Sequence, residues 1–415
     1  MGLWVPSSEE MLAKAEAAIL RCIPKTTYSI RDVMIELPSK GFRLFGRSSA
    51  QNTHQYNIRT ISFDQQSQEQ DQHSKESSKD EDTKRRWSSL PLVMIHGFGS
   101  GLGLWVLNYE TLAATAPVHA LDLLGFANSS RNYNFSKDSQ TCVDEYVESL
   151  EQWRKAMSLD KFVLVGHSFG AYLSYFYMLK HPTRVQHLVL ADPWGLTLKT
   201  EEAASRFKVH WALSPLVYLV TKFNPLAILR VSGRLAPSLI PKLRTDILSK
   251  FNSVYDHTTD STIADYIYHC NVQRPSGEAA FHNICSPLPW PREGMIQRVD
   301  QVPEDSRITM LLGSESWMWR YKDVAYRLQK QLHLKGVECQ LSVLPASSHH
   351  VYADEPDLFN SLISQVMEHE VKRMMTSSSD NSTTVVSSSS RSLTPSSSTS
   401  AVTAEKQQHK QNNII

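Results

Sequence analysis

Apolar residues along this chain gather into short blocks separated by longer stretches in which they recur with helical spacing. The runs Leu92–Ile95, Val118–Ala120, Phe162–Val165, Leu188–Ala191, Ile308–Leu312 and Cys339–Leu344 each read as a buried strand. Two further strands are expected around Tyr28–Glu36 and His54–Phe63. Residues 8–21 have the pattern of a short amphipathic helix, with Ser7 or Ser8 as its cap and Glu9 and Glu10 in its first turn. Helical spacing returns over Ser139–Met157 and Asp357–Met375. Alternating strands and helices predict an α/β fold, a mostly parallel sheet covered by helices on both faces. The alternation stops between about Leu196 and Trp290, where helical and Pro-punctuated segments replace strands. That interval reads as a helical cap inserted between the sixth and seventh strands.

Two segments fall outside this pattern. Asp64–Arg86 holds no strongly apolar residue and cannot bury enough surface to offset its ordering entropy, so it reads as a disordered insertion. The Ser/Thr-rich tail from Thr376 to Ile415 reads the same way. The expected division is an N-terminal amphipathic segment (1–25), a core made of 26–195 and 291–375, a cap (196–290) and a tail (376–415). The 415 residues and 41% hydrophobic content allow a sizeable core, and a net charge of +1 gives no reason to expect nucleic acid as a partner. Five scattered cysteines show no CxxC pair and no Cys/His spacing suited to a metal, which fits a reduced, intracellular compartment. No secretory signal and no apolar stretch of spanning length are visible, and Pro6 stands where a myristoylation pattern wants Ser or Thr.

Candidate chemistry is concentrated in three places. Gly166-His167-Ser168-Phe169-Gly170 follows the apolar run Phe162–Val165 and precedes a helical stretch. This is the strand–turn–helix context of a nucleophile elbow, with Ser168 as nucleophile. His96-Gly97-Phe98-Gly99 follows an earlier strand, so the expected oxyanion donors are the main-chain N–H groups of Phe98 and Phe169. There His96 need only bond the loop backbone. The third place is Ser348-His349-His350-Val351-Tyr352-Ala353-Asp354 after the last strand, where two adjacent histidines compete and His349 is taken as the base. His349 and Asp354 form an HxxxxD pattern, and Asp354 is expected to cap the last helix. For the acid that orients the base, Glu315 in the loop after the seventh strand is preferred, with Asp192 after the sixth strand as the alternative and Asp323 pointing away. Asp122 is read as structural. Nothing in this chemistry calls for a metal or other cofactor.

The chain resembles the abhydrolase-domain subfamily of α/β-hydrolases that contains the lipid-droplet lipase coactivator and the N-acyl-phosphatidylethanolamine lipase. Lysophosphatidate acyltransferases and a cardiolipin deacylase are more distant members. The resemblance spans roughly residues 1–372 and rests on Trp4-Val5-Pro6-Ser7, Phe98-Gly99, Asp192-Pro193-Trp194-Gly195, Phe223-Asn224-Pro225-Leu226, Tyr266–Asn271, Pro275–Glu278 and His349 to Asp354. It implies an α/β-hydrolase fold and a serine hydrolase or acyltransferase acting on a phospholipid or lysophospholipid. It also implies work at a peripheral membrane or lipid-droplet surface on the cytoplasmic side, with mitochondrial association and a lipase partner as open variants. The coactivator branch lacks the elbow serine, whereas this chain keeps Ser168. Members carry an aspartate beside the tryptophan that follows the seventh strand; here those positions read Ser316 and Trp319. The alternative of a different class is a non-catalytic protein that binds a lipid droplet or regulates a lipase.

Residues 203–244 add one more expectation. They carry Arg206, Lys208, Lys222, Arg230, Arg234, Lys242 and Arg244 among apolar side chains and no acidic residue. Interleaved cations and apolar groups suit a surface that meets an anionic membrane or receives a phospholipid.

Overall fold

The computed structural model describes residues 7–24, 27–38, 53–64, 90–199, 226–231, 240, 245–286 and 289–386. Most of the expected insertion after Asp64, most of the basic stretch within 203–244, and the tail beyond Val386 lie outside the described residues. Arg230 is an exception: it pairs with Glu278 and donates to the Asn271 carbonyl.

Each expected apolar run forms a strand. β1 (Ser29–Pro38), β2 (Thr53–Phe63), β3 (Leu92–Ile95), β4 (Val118–Leu121), β5 (Phe162–His167), β6 (Val185–Ala191), β7 (Arg307–Gly313) and β8 (Glu338–Leu344) join in one sheet of order β1-β2-β4-β3-β5-β6-β7-β8. β1 and β2 pair antiparallel, as do β2 and β4, and every other neighbour pair is parallel. β3, β4 and β5 are buried along their whole length, as parallel strands covered on both faces must be. The edge strand β1 instead alternates buried and exposed positions over its second half.

The helices follow from spacing and caps. α1 (Glu9–Ile19) starts at Ser8, whose side chain accepts the Met11 N–H. α2 (Ser139–Ala156) is capped by Asp138 on the Thr141 N–H and buries Cys142, Val143, Tyr146, Val147, Leu150 and Trp153 at helical spacing. α3 (Phe169–Lys180) is buried from Phe169 to Met178, so it is the central helix behind the elbow rather than a surface one. Two helices of the interval between β6 and β7, α4 (Thr262–Val272) and α5 (Ser276–Ile284), pack near α1 and α2 respectively. α6 (Lys322–Leu334) covers β8.

The last helix, α7, runs Pro356–Val386, past the Met375 at which sequence spacing ends it. Extending an existing helix needs no new nucleus, so polar residues can continue one that they would not start. Residues Met1–Val371 make up one compact unit and Lys372–Ile415 a second. Within the first, α7 is fixed to the sheet by Glu370, which is fully buried. Its carboxylate accepts from His187 of β6 at 2.9 Å, from Gln186 at 2.9 Å and from Arg307 of β7 at 2.8 Å. Burial alone would raise this carboxyl, but hydrogen bonds from His187 and Gln186 and the Arg307 charge outweigh it and bring its pKa down to about 2.

A depressed folded pKa contributes stability above the unfolded value and loses it as pH falls. Glu370→Ala should therefore cost about 3–5 kcal/mol at neutral pH, because it strands Arg307. Glu370→Gln should also flatten the acid loss of stability between pH 4.5 and about 2. Thermal melting across that range checks both, and melting curves of the glutamine variant that parallel wild type would contradict the second.

Candidate active site

The site is assembled at the ends of β5, β6 and β8. At the end of β5 the chain turns into α3 with no intervening loop, and Ser168 takes φ 53° and ψ −115°. The two flanking glycines allow this. A Cβ on Gly166 would stand 2.6 Å from the Ala171 Cα, and one on Gly170 would stand 2.4 Å from the His96 carbonyl oxygen. Ser168 is thus pressed against the turn after β3, and its N–H is tied to the Ala191 carbonyl of β6 at 3.0 Å. A non-glycine residue at positive φ costs about 1–3 kcal/mol and persists only where its surroundings hold it.

Asp192, next after β6, is also at positive φ (42°) and is fully buried. Its N–H donates to Leu311 of β7 at 2.7 Å, and its Oδ1 accepts the Gly313 N–H at 3.1 Å. The chain after β8 then crosses the end of β7. A Cβ at Gly313 would lie 2.3 Å from the Ser348 carbonyl oxygen, so only glycine lets the crossing come that close. This crossing delivers His349 to the site. Its Nδ1–H donates to Asp192 Oδ2 at 2.6 Å, and its Nε2 accepts the Ser168 hydroxyl at 2.9 Å. A carboxylate only accepts, so Asp192 fixes the tautomer that leaves Nε2 free to take a proton.

The acid facing His349 is therefore Asp192, and the preference for Glu315 is corrected. The Glu315 N–H is hooked to the Ser347 carbonyl at 2.9 Å, which leaves its side chain exposed. Ser316, where the resemblance implies an aspartate, is buried and its hydroxyl donates to Asp192 Oδ2. Asp323 lies in the first turn of α6. Of the two histidines, His349 has its ring on Ser168, while the His350 ring lies against those of His167 and Tyr352. The expectation that Asp354 caps α7 also fails: its carboxylate turns to Ser348 and Lys250 instead, because the Ser348 N–H lies 2.9 Å away.

Phe98 and Phe169, expected as oxyanion donors, are brought together by one partner. Their rings pack on Phe281 of α5 at 4.3 and 4.9 Å. Phe169 opens α3, so its N–H belongs to the unpaired first turn, at the positive end of the helix dipole. His96 bonds loop backbone through both nitrogens, to the Gly97 carbonyl and from the Leu123 N–H, and burial brings its pKa down to about 4. Asp122 is fully buried and accepts the Leu102 and Asn128 N–H groups, holding the loops beside the site.

Sequence reasoning missed three contributors. His167 donates from Nε2 to the His349 carbonyl at 2.8 Å, and burial and the neighbouring His349 hold its pKa well below the usual range. The Trp317 ring stands 5.2 Å from that of His349. Lys250 reaches the same loop from the interval between β6 and β7. Only His167 carried a signal, as the residue before the nucleophile. A cavity of about 620 Å³ lined by Glu9, Arg59, Asn128, Arg131 and Arg274 contains none of these residues.

The geometry separates the two acids by experiment. Asp192→Asn should lower esterase turnover about 10⁴-fold by upsetting the imidazole tautomer, and Glu315→Gln should leave it unchanged. Turnover measured with a soluble p-nitrophenyl ester decides between them, and the reverse ranking would exclude Asp192 as the acid.

The alpha/beta hydrolase fold model matches residues 91–227. The (lyso)-N-acylphosphatidylethanolamine lipase of Homo sapiens is 39% identical over 280 residues, covering 67% of this chain and 79% of that protein. The 1-acylglycerol-3-phosphate O-acyltransferase ABHD5 of Rattus norvegicus is 40% identical over 279 residues, covering 67% and 77%. Among solved structures, a bacterial membrane phospholipase A superposes with a TM-score of 0.53 at 16% identity, covering 87% of this chain and 91% of its own. An esterase from Thermogutta terrifontis gives 0.52 at 14%, covering 82% and 99%. At such identities these two show a shared fold alone. With relatives this similar over most of their length, and with this sheet, the chain belongs to the α/β-hydrolase family, in the subfamily that holds the N-acylphosphatidylethanolamine lipase and the acylglycerol-phosphate acyltransferase.

Proposed function

We propose that the chain is a serine hydrolase or acyltransferase that acts on acyl phospholipids. The observation that carries this reading is the imidazole of His349 hydrogen-bonded to Ser168 Oγ on one side and Asp192 on the other. In the proposed reaction His349 Nε2 takes the proton as Ser168 Oγ attacks the acyl carbonyl. Asp192 stabilises the imidazolium, and the main-chain N–H groups of Phe98 and Phe169 receive the oxyanion. The proton then passes to the leaving oxygen, and an acyl-Ser168 ester remains. Water as second acceptor completes hydrolysis in the manner of a phospholipase B or lysophospholipase. A lysophosphatidate hydroxyl would instead complete acyl transfer.

The substrate class is supported by the names of the relatives, an N-acylphosphatidylethanolamine lipase and an acylglycerol-phosphate acyltransferase. Such a substrate lives in a bilayer or a droplet surface, so the proposed working place is the periphery of cytoplasmic-side membranes or lipid droplets. Among the described residues no helix is long and apolar enough to cross a membrane.

A fluorophosphonate probe should label the full chain at one site, and Ser168→Ala should remove the label. Vesicles carrying N-acyl-phosphatidylethanolamine, with and without lysophosphatidate, then show whether the acyl group leaves as fatty acid or as phosphatidate. A chain that stays unlabelled where an authentic serine lipase reacts would overturn the enzyme reading in favour of a non-catalytic binding protein.

A further inference from the structure

His349 is held by its neighbours on the chain as well as by Asp192. The Ser348–His349 backbone is pinned from two directions. On the core side, His167 of the elbow donates to the His349 carbonyl. On the other side, Asp354 Oδ2 accepts the Ser348 N–H at 2.9 Å and its hydroxyl at 3.0 Å. Asp354 Oδ1 is in turn paired with the Lys250 ammonium, which also donates to Ser348 Oγ at 2.7 Å. The Lys250 and Asp354 side chains are 8% and 12% exposed, so both charges are largely withdrawn from water.

Lys250 does not belong to the catalytic loop. It lies in the turn Ser249–Phe251, in the interval between β6 and β7, anchored by the fully buried Phe251. The N–H groups of Val254 and Tyr255 return to the Phe251 carbonyl. The Tyr255 hydroxyl accepts the Cys22 N–H at 3.2 Å and lies 2.9 Å from the Ala18 carbonyl, which it can donate to. One continuous path of contacts therefore runs from the end of α1 through Tyr255 and Lys250 to the loop that carries His349.

A buried ion pair returns little net stability, because desolvation offsets its attraction, and an apolar pair of the same volume holds a fold as well. What it supplies is a fixed geometry. Here the fixed atoms are those immediately before the base.

We propose that Lys250 is a positioning residue for His349: by clamping Asp354 and Ser348 it makes the stance of the imidazole over Ser168 depend on where the inserted segment and α1 sit. On this account Asp354 of the HxxxxD pattern acts on the histidine loop and not on an acyl acceptor. The proposal rests on the Ser168–His349–Asp192 reading.

The test is the rate of fluorophosphonate labelling of the full chain, with thermal melting recorded alongside. Lys250→Met should label at least about tenfold more slowly at saturating probe with an unchanged half-saturating concentration, since a small misplacement of a catalytic group costs that much or more. Lys250→Arg, which keeps the charge and the donors, should recover to within about threefold of wild type. Asp354→Asn should slow labelling, hydrolysis and acyl transfer alike, and it carries the same expectation if Lys250→Met does not fold. Wild-type labelling rates in Lys250→Met, an Lys250→Arg rate no better than the methionine variant, or an Asp354→Asn chain that loses transfer alone would overturn the proposal. Failure of wild type itself to label is a different result, which removes the serine-enzyme reading and the proposal with it.

Discussion

The imidazole of His349 is held by two hydrogen bonds of opposite sense, donating to Asp192 and accepting from Ser168, and both depend on the relative positions of three strands. β5 and β6 pair in register up to His167 and Ala191, so Ser168 and Asp192 stand side by side one residue past the paired ends. Both are at positive φ, so each leaves the extended path of its strand. β7 then lies between this pair and β8, and the histidine loop reaches the pair only because it passes over Gly313 in near contact. The strain of two unfavourable backbone conformations is thus concentrated where three strand ends and a crossing loop hold it fixed.

Much of the fold was legible in the sequence because its physical determinants are local. Apolar runs of three to six residues bounded by polar turns mark the six strands β3 to β8, and each of these stands where its run predicts. The elbow was legible for a similar reason: Gly166 and Gly170 announce close backbone approaches that the structure contains. The acid was not. Glu315 and Asp192 lie in adjacent loops, and what separates them is the direction each backbone takes after its strand. The Glu315 peptide is held to Ser347 and its side chain faces water, whereas positive φ turns Asp192 beneath the imidazole. No periodicity reports a single residue's φ.

Ser316 stands in the loop after β7, where the resemblance implies an aspartate. Its buried hydroxyl donates to Asp192 Oδ2. The residue that looked like a missing acid is therefore a hydrogen-bond donor to the acid that remains. The reading of Asp354 shifts for a comparable reason. Its place before a proline suggested a helix cap, but the nearer unsatisfied donors are the Ser348 N–H and the Lys250 ammonium, and a carboxylate with two oxygens serves both.

The interval between β6 and β7 is bound into the site more tightly than a cap resting on a finished core would be. Asn271 donates to the Gly99 carbonyl, beside the expected oxyanion turn, and the Tyr266 hydroxyl accepts the Gly103 N–H. Arg131 donates to the Cys270 and Arg274 carbonyls, and the Trp194 indole donates to that of Pro289. Phe281 carries the rings of both Phe98 and Phe169. These contacts reach the turn after β3, the loop after β4, the elbow and the loop after β6. A rearrangement that displaced α4 and α5 would therefore move the oxyanion turn with them. A formed oxyanion turn therefore requires that α4 and α5 keep these contacts.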